Sequence, residues 1–88
     1  MAWVVSYFMD WVVYILKCGD GSFYTGITND LPARVAAHEN GVGAKYTRGR
    51  GPFKVVYQEE CADRSAASRR EGVIKKLSRT EKLKLCSI

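Results

Sequence analysis

The chain has 88 residues, of which 47% are hydrophobic and 26% charged, and a formal charge of +5. That length fits one domain with one modest core, and that hydrophobic share excludes a disordered chain. Its three cysteines, Cys18, Cys61 and Cys86, are odd in number, far apart and without a CxxC pair, which speaks against a disulfide framework and against zinc; reduced thiols fit a cytoplasmic protein.

The charge is unevenly placed. Residues 1–44 hold two basic and four acidic residues, net −2, whereas residues 45–88 hold twelve and five, net +7. A basic half suits a polyanion partner, and it equally suits a solvated surface. The apolar stretch 3–16 is broken by Asp10, ended by Lys17 and shorter than the roughly 20 residues a membrane span needs. No membrane partner is expected. Residues 1–10 read as an N-terminal extension and residues 11–88 as the domain.

Residues 11–18, a run of β-branched and aromatic side chains, predict a buried strand. The Gly-Asp-Gly-Ser of residues 19–22 is turn chemistry, and residues 23–28 predict a second strand, so the two make a hairpin. Asn29 or Asp30 can cap a helix that carries Pro32 in its first turn, runs to about Asn40 and stops at Gly41. Residues 41–52, with four glycines plus Lys45, Arg48 and Arg50, read as a basic loop. Residues 53–59 predict a third strand. Asp63 or Ser65 can open a second helix over 64–77, with Ala66, Ala67, Val73, Ile74 and Leu77 on its apolar side. Ser78 and Glu81 fit a capping box for a short third helix. The order β-β-α-β-α-α implies an α+β fold, a small three-stranded, mainly antiparallel sheet with helices packed on one face.

Two features break the amphipathic pattern. Leu31, Arg34, Val35 and His38 share one helix face, which places a cation and an imidazole on or beside a stripe where apolar residues are cheaper. Such an arginine is paired, snorkels at the edge, or faces a cleft, because an unpaired buried charge costs several kcal/mol. Glu71 is the sole acid of the helix over 64–77, whose polar face is otherwise Arg64, Arg69, Arg70, Lys75 and Lys76. It either pairs with Lys75 at i,i+4 or stands as an ionised carboxylate available to a hard divalent cation. The hairpin adds the phenols of Tyr14 and Tyr24. A three-residue turn of Gly19, Asp20 and Gly21 puts them on the same sheet face; a two-residue Asp20-Gly21 turn puts them on opposite faces.

Tyr14, Tyr24, Arg34, His38 and Glu71, in this order on β-β-α-β-α, are where the chain resembles the GIY-YIG nuclease family. Val13-Tyr14-Ile15 matches the first motif and Tyr24-Thr25-Gly26 the second. The intervening wording resembles the small single-domain bacterial branch, which is similar to the nuclease domain of the Slx-type structure-specific endonucleases. The resemblance spans about residues 11–84. It implies a DNA endonuclease using one divalent ion, Mg²⁺ or Mn²⁺, in repair or recombination. It assigns the metal carboxylate to Glu71, the catalytic arginine to Arg34 and the motif tyrosines to Tyr14 and Tyr24; His38 sits where other branches have tyrosine. Tyr24 is then the first choice to deprotonate or hold the attacking water, Tyr14 orients, and His38 relays a proton or holds a tyrosine hydroxyl. Val13 stands in place of the motif glycine, Thr25 in place of isoleucine, and Ile27 where some branches carry lysine. Lys45, Thr47, Arg48, Arg50, Arg69 and Arg70 are the expected DNA contacts, with branched or single-stranded DNA as partner and a further protein supplying specificity. The alternatives are a non-catalytic nucleic-acid-binding module of this fold and a nuclease subunit that needs a partner.

Overall fold

The computed structural model describes residues 10–87. Of the expected extension 1–10, only Asp10 falls among them. Strand β1 (Trp11–Lys17) lies in the middle of a three-stranded sheet, flanked by β2 (Phe23–Thr28) and β3 (Lys54–Cys61), both antiparallel to it. The helices are α1 (Leu31–Glu39), α2 (Arg64–Lys75) and α3 (Arg79–Leu85), so the order β-β-α-β-α-α and the α+β class stand as read from the sequence.

The hairpin turns through three residues. Gly21 takes a positive φ of 85°, which an L side chain resists, and its N–H bonds Cys18 O at 2.9 Å. Tyr14 therefore pairs with Gly26 and Leu16 with Tyr24, and both phenols share one face of the sheet.

The helices do not share a face. Val13, Tyr14, Ile15 and Leu16 are all fully buried, so the central strand is covered on both sides. Val13 and Ile15 join Ala67, Ile74, Cys61 and Cys86 in the core beneath α2 and α3. Tyr14, on the opposite face, meets His38 of α1. An unalternating apolar run such as residues 11–16 requires this double cover, which corrects the one-face expectation.

Helix ends follow side-chain chemistry. Asp30 caps α1 by accepting from Ala33 N–H at 3.2 Å, Asp63 caps α2 by accepting from Ala66 N–H at 2.8 Å, and Ser78 and Glu81 form the capping box of α3. Val73, expected on the apolar side of α2, is 51% exposed; Ala67 and Ile74 carry that side. A Cβ added at Gly72 would meet open space. The basic loop is tied to the hairpin turn, since Gly19 N–H donates to Arg50 O at 2.6 Å and the Arg50 guanidinium pairs with Asp20. Hydrogen bonds from Ser22, with help from Arg50, hold the Asp20 carboxyl down at about 2. No helix among the described residues is long and apolar enough to cross a membrane.

Candidate active site

The shared face of the hairpin gathers three rings from three elements. The Tyr14 and Tyr24 centroids are 6.4 Å apart, and His38 stands edge-on to each, at 6.0 Å and 5.1 Å. Gly26 makes the room. A Cβ there would lie 2.7 Å from the Tyr14 hydroxyl and 3.0 Å from the Tyr24 ring. Gly43 does the same for His38, whose Nδ1 would sit 2.5 Å from an added Cβ.

Hydrogen bonds fix the imidazole at both nitrogens. Nε2 is 2.9 Å from the Tyr14 hydroxyl and Nδ1 is 2.7 Å from Thr47 Oγ1. The Thr47 hydroxyl gives its one proton to Ala44 O at 3.1 Å. It must therefore accept from His38 Nδ1–H, which leaves Nε2 bare to accept from Tyr14 O–H. The result is a directed chain, Tyr14 to His38 to Thr47 to the backbone of the basic loop. His38 and Thr47 are 1% and 0% exposed. Burial first, and the Arg34 charge second, lower the His38 pKa and keep the ring neutral at pH 7.

Tyr14 is pushed up to about 12, first by burial and then by Tyr24 beside it. Arg34 is near enough to pull it part of the way back, and the Glu71 carboxylate is near enough to add to the rise. Arg34 thus acts electrostatically on both Tyr14 and His38. It is exposed, lines a cleft and has no carboxylate partner among the described residues. Of the readings open for this arginine, it takes the cleft. Glu71 has its side chain 22% exposed and pairs with Lys75 at 3.4 Å.

The expected DNA contacts separate into groups. Lys45, Arg48 and Arg69 are exposed. Arg50 is held by Asp20 and lies over the Tyr46 ring at 4.5 Å, and Arg70 is turned to Glu59 at 3.1 Å. Thr47 is a correction: it lies wholly beneath the surface, with its hydroxyl engaged by His38 and Ala44, so it positions the imidazole instead of meeting DNA.

Two groups at the site carry no site role in the sequence pattern. Tyr46 stacks on Tyr24 at 6.0 Å and is 45% exposed. Lys75 and Lys82 join Phe23, Tyr24, Thr25 and Tyr46 around a pocket of about 270 Å³. Tyr46 carried a local signal, an aromatic between Lys45 and Arg48 in a glycine-rich loop; Lys82 carried none, since α3 meets β2 only through the tertiary fold.

A three-stranded antiparallel sheet with paired hairpin tyrosines facing a helix-borne arginine and histidine defines a class. Residues 10–84 match the GIY-YIG catalytic domain family, and the chain belongs to it. It is 60% identical over 75 residues to a UPF0213 protein of Clostridium perfringens, a match covering 85% of this chain and 81% of that one. Among solved structures it resembles the solution NMR structure of a UPF0213 protein from Bacillus halodurans, with 49% identity, a TM-score of 0.57, and coverage of 88% of this chain and 82% of that one. A second solution NMR structure, of a protein from E. faecalis, gives 41% identity and a TM-score of 0.56, covering 81% of this chain and 76% of that one. The family is one of nucleases, typically endonucleases, and its members are generally dependent on a divalent metal.

Proposed function

We propose that the chain is a metal-dependent DNA endonuclease acting in repair or recombination, with Tyr14, Tyr24, Arg34, His38 and Glu71 as its catalytic set. The observation that carries this reading is Arg34, without a carboxylate partner among the described residues, whose charge reaches both members of the Tyr14–His38 pair, with Glu71 within electrostatic reach of the same phenol.

The donor set suits a particular kind of ion. Among the described residues no group of three or more His, Cys, Asp or Glu could hold a metal. Glu71 is a single carboxylate whose charge, like that of Arg34, reaches Tyr14. That suits Mg²⁺ or Mn²⁺, which keep much of their water and complete their shell with phosphate oxygens. Bound at Glu71, such an ion supplies Lewis-acid stabilisation of the phosphate and of the leaving oxygen.

The chain's own groups divide the remaining work. Arg34 holds a non-bridging phosphate oxygen through its planar fork. Tyr14 gives its proton to His38, so its oxygen is left to accept from Arg34 or from a water. A phenol pushed up to about 12 is a poor source of phenolate at neutral pH, so Tyr14 orients. Tyr24, half-buried and beside the pocket, holds the attacking water. Neutral His38 has the free capacity to take a proton passed through Tyr14.

The test is cleavage of plasmid, single-stranded and branched DNA with Mg²⁺ or Mn²⁺. The wild-type chain cuts at least one of these, and Glu71→Gln and Arg34→Ala each lose roughly 10²-fold or more in rate. If the wild-type chain leaves all three intact and Glu71→Gln behaves identically, the endonuclease reading fails. One observation favours the non-catalytic module instead, since Lys75 already pairs with Glu71. On that reading the Glu71 resonances stay unmoved during Mg²⁺ titration while DNA binding persists.

A further inference from the structure

A second cation shares the Arg34 cleft. The cleft has a volume of about 290 Å³ and is lined by Trp11, Ile27, Thr28, Asn29, Arg34 and Arg64. Arg64 comes from the first turn of α2, far from Arg34 in sequence, and its guanidinium lies 5.7 Å over the Trp11 ring. Both arginines are exposed, and neither has a carboxylate within ion-pair distance among the described residues. Arg50 and Arg70, by contrast, are each held by an acid.

Two like charges facing one cleft repel, and only an anion between them turns that repulsion into attraction. The indole beneath Arg64 restricts the orientations of its guanidinium, so less conformational entropy is lost when it closes on a ligand. Asn29 adds an amide donor on the same wall. Arg34 is the residue this cleft shares with the candidate active site.

We propose that this cleft is a second phosphate subsite, in which Arg64 holds a DNA phosphate adjacent in the strand to the one gripped by Arg34. The proposal rests on the DNA-endonuclease reading and extends it, fixing the path of the strand across the start of α2 and giving Arg64 a positioning role. The polyanion supplies what an isolated ion lacks, a second phosphate at fixed spacing from the first.

The experiment measures binding of the full chain to short oligonucleotides carrying one neutral methylphosphonate linkage, walked along the strand. The chain carries Glu71→Gln so that the DNA stays uncut. Two adjacent linkage positions each weaken binding about 3–10-fold, and adding Arg64→Gln removes the sensitivity at one of them alone. Arg64→Gln also lowers the slope of log K against log salt by close to one phosphate, and Arg64→Lys restores most of it. An interference pattern and salt slope indifferent to Arg64 overturn the proposal. A readout that needs no variant comes from Trp11: its indole N–H resonance shifts when DNA is added to the wild-type chain, and an unmoved resonance equally overturns it. The two readings fail separately. Arg64-dependent interference in a chain that never cuts DNA keeps the subsite and removes the endonuclease. Cutting with Arg64-independent interference does the reverse.

Discussion

Replacing Thr47 by valine keeps the shape of a buried side chain and deletes one oxygen. That oxygen accepts from His38 Nδ1–H at 2.7 Å and gives its proton to Ala44 O at 3.1 Å. Ala44 is only partly buried, so water replaces the lost donor there at little cost. His38 is 1% exposed, so its Nδ1–H finds no water and the full penalty of an unpaired buried donor falls on it, about 1–3 kcal/mol. The imidazole has one escape. It can move its proton to Nε2 and donate to the Tyr14 oxygen, which turns the Tyr14 O–H away and reverses the chain. Relief by this route holds the loss near the lower end of the range, and it changes the tautomer. Urea unfolding with m of about 1 kcal/mol/M then shows a midpoint roughly 1 M lower. Nitrogen chemical shifts of His38 move from the Nδ1–H to the Nε2–H form, and cleavage falls because Tyr14 no longer presents a bare oxygen. An unchanged midpoint together with an unchanged tautomer would refute the directed chain and with it the positioning role of Thr47.

Three further outcomes follow from the same geometry. Gly26→Ala puts a Cβ 2.7 Å from the Tyr14 hydroxyl, so unfolding assays show a loss of about 1–3 kcal/mol and the Tyr14 and Tyr24 ring resonances shift; unmoved rings would contradict the fit. Gly72→Ala meets nothing within 4 Å, so it stabilises the chain by about 0.5–1 kcal/mol and raises Tm by several degrees; a lower Tm would show a neighbour that the structure lacks. The His38 pKa is lowered on folding, so the unfolded chain binds more protons in the window below the ordinary value. Stability is therefore full above pH 6.5 and declines as pH falls from there toward the folded value. His38→Gln flattens that part of the profile, and an equally steep decline in the variant would exclude His38 as its source.

The elements were legible because local chemistry sets their ends. Asp30, Asp63 and the Ser78–Glu81 box each cap the helix that their positions announce. The layering departs from the one-face expectation for a reason equally local. In residues 11–16 apolar character does not alternate, which is the mark of a strand covered on both faces. The hairpin register stayed open because the sequence allows two turn lengths; the positive φ of Gly21 and the Cys18–Ser22 hydrogen bond at 2.8 Å select the longer one. The Tyr14–His38–Thr47 chain spans three segments, and nothing within any one segment says that Thr47 points inward.

Charge counting by segment located the basic half but not the free cations, and the use of the acids explains why. Asp30 and Asp63 cap helices, and Glu81 completes the capping box of α3. Asp20 holds Arg50, Glu59 holds Arg70 and Glu71 holds Lys75. Six of the nine acids are thus engaged within the fold. Three of them, Asp20, Glu59 and Glu71, engage cations of the basic half, and Arg34, in the net-negative half, is left without a carboxylate among the described residues. The −2 segment therefore contributes the arginine at the centre of the site, while the +7 segment gives up Arg50 and Arg70 to internal pairs. A cation's availability to phosphate depends on whether an acid is folded against it, and only the tertiary structure carries that information.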